Sequence, residues 1–295
     1  MSAQHTQGRA EWVPTHDGRR LYAMVLPVSD TDSARRDEVP TVVFEAGAAA
    51  SRSSWAAVQP GVGRFARAIV YDRSGLGRSG PDPAGRTLVR MADDLGDLLD
   101  HFAPGPFILV GHSAGGPIVR LAAANRLDRI AGLVLVDPTD EAAQMLFTSR
   151  FRRMERTMIR AGTVLARLRL LHLLYPGILR AAPPDVRDDL RREAFTPQVI
   201  ATSAAANRTF LDELSAWREQ PPELDAIPVT VISGSRAGDG MNAALRAEAN
   251  ASHAHRAAQS PNGRHVIAEH SSHYVPLTDP GVIIEEIRRL AVGAH

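Results

Sequence analysis

Apolar and polar positions alternate along this chain with a period that changes from segment to segment. Residues 11–15 and 20–26 read as extended runs, joined through His16-Asp17-Gly18, where Asp-Gly supplies a hairpin turn. Short apolar runs at 41–44, 67–71, 107–110 and 131–136 predict strands buried on both faces. Between them Leu88, Met91, Leu95, Leu98, Leu99 and Phe102 recur at helical spacing and predict an amphipathic helix. An Ala-rich helical stretch follows the run at 107–110. The alternation then stops at Asp137-Pro138. Residues 140–222 are helical in character, without a strand-like run, and are interrupted by Pro176, Pro183-Pro184 and Pro197. Strands return at 227–233 and 264–269, with helical residues to about 257 and a last helix over about 278–290. The polar stretch 29–39 predicts an exposed loop.

Strands alternating with helices imply a doubly wound, mostly parallel α/β sheet, here of eight strands. The expected layout is a core from residues 1–139 and 223–295, with a helical insertion over 140–222 after the sixth strand. Composition fits one such core: 44% hydrophobic and 23% charged, with a formal net charge of +1. That charge gives no global field toward nucleic acid or membrane. Cysteine is absent, which excludes disulfides, thiolate metal sites and thiol nucleophiles. No apolar run approaches the ~20 residues of a membrane span. The start, MSAQHTQGRAEW, lacks the apolar stretch of a secretory signal, so the expected location is cytoplasmic.

The stretch with the most chemistry is Gly111-His112-Ser113-Ala114-Gly115-Gly116, between a buried strand and a small-residue helix. Glycines at 111 and 115 permit close backbone packing, so Ser113 can occupy a strained turn that projects its hydroxyl from the sheet. This is a nucleophile elbow, and here the chain resembles the α/β-hydrolase superfamily. The resemblance runs from about residue 11 to 291, and the insertion over 140–222 is similar to the helical cap of many members.

A serine hydroxyl needs a base within hydrogen-bond reach. In the superfamily the base follows the final strand, and His273, with Asp279-Pro280 six residues later, resembles that histidine segment. His265 and His270 lie in or at the end of the last strand, which separates them from it. The acid that orients the histidine usually follows the seventh strand as Gly-x-x-Asp. Here Ser233-Gly234-Ser235-Arg236-Ala237-Gly238-Asp239 brings its carboxylate two residues late. The other known place follows the sixth strand, where Asp137 stands at the sheet edge that open α/β sheets use for their sites. Asp137 is favoured, with Asp239 as the alternative. The resemblance implies oxyanion donors at the amides of Ala48, in the loop after the third strand, and Ala114. Glu45, just before this loop, reads as structural rather than catalytic, and His112, inside the elbow, as packing or pocket wall.

Asp72-Arg73-x-Gly-x-Gly-x-Ser79 also matches the superfamily and reads as a tight structural loop. Without a single lysine in the chain it is no phosphate loop. No acidic or histidine cluster has metal-ligand spacing, so neither metal nor cofactor is expected. Residues 150–180 carry eight arginines against one acid, Glu155, interleaved with leucines such as Leu168, Leu170, Leu173 and Leu174. The expected arrangement is a solvated arginine face and a leucine face over the active site. An anionic substrate or a membrane surface is the sharper alternative.

The resemblance implies a cofactor-independent serine hydrolase acting on an ester of a small, largely apolar substrate through an acyl-enzyme. Ser113 in place of Asp argues against epoxide hydrolase or dehalogenase chemistry. Carbon–carbon, lactone or thioester hydrolysis and perhydrolysis use the same triad, and a ligand receptor could use the same fold.

Overall fold

A computed structural model describes residues 4–29 and 39–293; most of the expected 29–39 loop lies outside them. The strands form one eight-stranded sheet in the order β1-β2-β4-β3-β5-β6-β7-β8. β1 (Arg9–Pro14) and β2 (Arg20–Leu26) make the expected hairpin, and Gly18 at its turn has φ +86°. β2 runs antiparallel to β4 (Ala68–Asp72). From β4 onward β3 (Thr41–Glu45), β5 (Phe107–His112), β6 (Ile130–Val136), β7 (Val229–Gly234) and β8 (Arg264–Ala268) are parallel.

Successive residues of the central strands point to opposite faces, which explains their unbroken apolar runs. Val43, Leu109, Leu133 and Val231 pack on one side, against α2 (Leu88–His101) and α3 (Gly115–Ala124). Val42, Ile108, Val134 and Ile232 pack on the other, against α1 (Gln59–Val62) and α11 (Pro280–Gly293). α2 begins where Thr87 Oγ1 accepts the Arg90 amide at 3.2 Å, and it buries Leu88, Met91, Leu95, Leu98 and Leu99 as the spacing predicts.

Between β6 and β7 the chain is helical: α4 (Ser149–Arg167), α5 (Pro176–Ala181), α6 (Pro184–Glu193), α7 (Pro197–Ala206) and α8 (Phe210–Ala216). α8 packs Phe210, Leu211 and Leu214 into the core on the side of the sheet that carries α2 and α3. α6 buries Val186 and Leu190 against Ala56 and is also fastened by charge. The fully buried Arg52 donates to Asp72 at 2.5 Å, Asp189 at 2.6 Å and Glu193 at 2.7 Å. Arg78 reaches the same two α6 carboxylates at 3.0 and 2.7 Å. α9 (Ala243–Ala258) links β7 to β8, and α10 (Val275–Thr278) precedes α11. Among the described residues no helix is long and apolar enough to cross a membrane.

Register decides where the chemistry meets. Glu45 pairs with Gly111, His112 with Val136, and Val136 with Ile232. Residues 113 and 137 therefore leave the carboxyl edge of the sheet side by side.

Candidate active site

β5 ends at Ser113, which turns to φ +51°, a left-handed conformation that costs a non-glycine residue ~1 kcal/mol or more. Three backbone hydrogen bonds hold it there. The Ser113 amide donates to Val136 O at 3.1 Å, and its carbonyl accepts the Gly116 and Thr139 amides, both at 3.0 Å. The neighbouring glycines are required by close approach: a Cβ on Gly111 would lie 2.6 Å from Gly115 O, and one on Gly115 would lie 2.7 Å from Glu45 O.

Asp137, at φ +42°, is 3% exposed and stands immediately after β6. Its Oδ2 lies 2.6 Å from His273 Nδ1. The Gly234 amide donates to Oδ1 at 3.0 Å, and Arg246 of α9 donates from Nη1 at 2.5 Å and from Nη2 at 3.1 Å. Burial works to raise the carboxyl's pKa. The hydrogen bond and charge of His273, with His253 and Arg246, outweigh it and hold the group below the usual carboxylate range. His253, itself buried, donates Nε2–H to Pro138 O at 2.8 Å and places Nδ1 2.7 Å from Ser233 Oγ.

Asp239 also reaches His273, at a different atom. Its Oδ2 accepts the His273 amide at 3.2 Å and the Ser272 hydroxyl. It therefore braces the loop, while Asp137 meets the ring. His265 and His270 stay apart from this group, on Ser233 Oγ at 2.8 Å and beside Arg236 Nη2 at 3.3 Å.

His112 donates Nε2–H to the His273 carbonyl at 3.0 Å, with the two rings 4.8 Å apart. Burial first, and then the charge of His273, pushes the His112 pKa down to about 3, so this ring is neutral over the ordinary pH range. Across the elbow, Glu45 is buried at the end of β3 and accepts from Tyr71 Oη and from Arg73. Burial raises its pKa, against the pull of Arg73 and Tyr71. Arg73 also donates to Ala46 O at 2.5 Å and to Gly47 O at 2.6 Å, pinning the loop that carries Ala48.

Ala48, His112, Ser113, His273 and Tyr274 line one cavity of about 350 Å³. Its opposite wall is apolar and comes from the segment between β6 and β7, including Leu171, Ile178, Phe195 and Ile200. Ala114 borders the small adjoining space beside Arg73 and Ala48.

Residues 40–280 match the alpha/beta hydrolase fold family. The chain belongs to that family. Relatives span it unevenly. An esterase of Mycobacterium tuberculosis is 29% identical over 267 residues, covering 84% of this chain and 82% of that one. An uncharacterized protein of Bacillus subtilis is 35% identical over 99 residues, covering 33% of this chain and only 39% of its own length. Among solved structures, the epoxide hydrolase CorEH superposes with a TM-score of 0.70 at 18% identity, covering 97% of this chain and 99% of that one.

Three residues of this hydrolase-fold site escape a sequence reading. Arg73 was visible as part of a glycine-rich motif, but nothing in the motif says that its guanidinium clamps the 46–47 carbonyls. Arg246 and His253 sit on the buried face of α9 and carry no sequence signal toward Asp137. They are 109 and 116 residues away from it along the chain.

Proposed function

We propose that this protein is a serine hydrolase that cleaves carboxylic esters through an acyl-enzyme. The observation that carries the reading is the 2.6 Å pair between His273 Nδ1 and Asp137 Oδ2, at the wall of the cavity that Ser113 also lines.

With Nδ1–H held by Asp137, the ring's Nε2 lone pair is left to take the Ser113 proton as Oγ attacks the carbonyl. The imidazolium formed is stabilised by the carboxylate. The negative charge that develops on the carbonyl oxygen is met by the amides of Ala48 and Ala114, and by the N-terminus of α3. Arg73 keeps the first of these donors in place by fixing the two carbonyls before it. Collapse expels the alcohol, protonated by His273, and water releases the acid by the same steps in reverse. The triad supplies nucleophile and base itself, so no cofactor is needed for this sequence of steps.

Residues 140–222 are read as a cap over the cavity, with α8 at its end tied into the core. Their apolar wall favours a small, largely apolar acyl or alcohol group. The esterase from Mycobacterium tuberculosis supports ester cleavage, because its similarity covers most of both chains. Ser113 separates the protein from epoxide hydrolases, whose fold it shares but whose nucleophile is a carboxylate.

Ser113→Ala tests the reading directly. It is expected to abolish labelling by a fluorophosphonate and to lower ester turnover by ~10³ or more, with thermal stability retained. Labelling that persists in this variant overturns the assignment of the nucleophile.

A further inference from the structure

α4 buries Gly162 and Ala166 toward the molecule, with Gly162 facing Ile200 of α7. At 100° per residue its opposite face carries two parallel stripes. One is Arg153, Arg156, Arg160 and Arg167. The other is Met154, Met158, Val164 and Leu168, with Met158 63% and Leu168 61% exposed. The turn that follows adds Leu170, Leu173 and Leu174, the last two exposed by 61% and 62%. Between them Leu171 is buried and lines the cavity with Tyr175 and Ile178. This apolar face is therefore the outside of the segment whose inside walls the cavity.

Exposed apolar residues scattered singly need no explanation. Here seven of the eleven large hydrophobics exposed among the described residues fall within 154–174, which is a patch. Its charge is equally one-sided. Residues 150–180 hold eight arginines and the lone acid Glu155, in a chain of net charge +1. Arg152 pairs with Asp212 at 2.6 Å. Arg153 and Arg156 instead turn Nε to the helix carbonyls of Ser149 and Arg152, at 3.4 and 3.1 Å.

Aliphatic and methionine side chains beside Arg153, Arg156 and Arg160, which make no salt bridge among the described residues, match a surface that offers acyl chains under anionic headgroups. A second copy of the chain would bring the same arginines against themselves. We propose that α4 and the turn 168–174 form a docking face for an anionic phospholipid bilayer. Docking there sets the outer wall of the cavity against lipid. The corollary that the ester is drawn from the bilayer rests on the reaction proposed above, whereas the docking itself does not.

Flotation of the full chain with vesicles tests this, comparing phosphatidylcholine alone with phosphatidylcholine containing about one third phosphatidylglycerol. The protein should float with the anionic vesicles and be released ~10-fold or more by about 0.5 M salt. Arg153→Glu/Arg156→Glu/Arg160→Glu should abolish flotation, and Met158→Ser/Leu173→Ser/Leu174→Ser should weaken it ~10-fold. Both variants should keep wild-type turnover of a soluble short-chain ester, since none of these side chains lines the cavity. Failure of the wild type to float at low salt overturns the proposal, and so does unchanged flotation of either variant. A dimer in solution that the leucine variant dissociates, without vesicle binding, would make the face a self-association surface and overturn it too. Flotation without any ester turnover would leave the docking face standing and remove the proposed reaction.

Discussion

The ends of β6 and β7 present the same side chain in the same unusual backbone conformation, and they use it differently. Asp137 and Asp239 sit at φ +42° and +50°, and both reach His273. Asp137 is buried, holds the ring, and is itself held by Gly234 and Arg246. Asp239 is exposed and accepts the histidine's backbone amide and its neighbour's hydroxyl. A carboxylate near a histidine is thus not yet an orienting acid. What matters is which atom it meets and how far water is excluded, because only a dry, fixed carboxylate stabilises a transient imidazolium strongly.

The largest expected effect follows from removing the charge at the ring. Asp137→Asn should lower kcat by ~10⁴ while leaving KM nearly unchanged, as the serine-protease precedent implies. A loss below tenfold in steady-state ester kinetics would end the comparison. Next comes the guanidinium behind it. Arg246→Met removes the cation from a buried pair and should lower unfolding stability by about 3 kcal/mol in urea titration. The double variant Asp137→Asn/Arg246→Met should regain part of that stability without regaining activity, because no charge is then left unpaired.

A smaller effect concerns pH. The fold keeps His112 neutral, with its pKa pushed down to about 3 by burial and by His273, and burial also lowers His253. The unfolded chain takes up these protons near the ordinary value of 6.5. For His112 this stability is therefore present above that value and is lost as pH falls toward 3, by up to about 1.4 kcal/mol per pH unit, and His253 adds a loss in the same direction. Asp137, whose pKa is depressed, adds its own loss only below the ordinary carboxylate range. His112→Gln should flatten the stability profile between about pH 6 and pH 4, and an unchanged slope would contradict the assignment. The smallest effect is at the outer aspartate. Asp239→Asn retains an acceptor for the His273 amide and should stay within about threefold of wild-type kcat, or ~0.6 kcal/mol. A collapse of kcat there, with Asp137→Asn active, would exchange the two roles.

Much of the architecture was legible from local pattern. The apolar runs at 41–44 and 107–110 extend by one or two residues into β3 and β5, and 67–71 shifts by one into β4. These ends move because ladder hydrogen bonds continue past the last apolar side chain. The elbow was legible as well, since a serine between glycines after a buried strand describes a backbone shape as much as a composition. The choice between Asp137 and Asp239 was open, because a loop can absorb two residues of register.

The sequence by itself determined the alternating sheet, the serine turn and the histidine beyond the last strand. Each depends on residues that are neighbours in the chain, or on an apolar period that survives in one dimension. Only the tertiary structure decided which carboxylate meets the ring, that Arg246 and His253 stand behind it, and that Arg73 clamps the Ala46 and Gly47 carbonyls. These contacts join residues 26 to 136 positions apart, and they are set by strand register and by burial. Neither register nor burial is a property of any single segment.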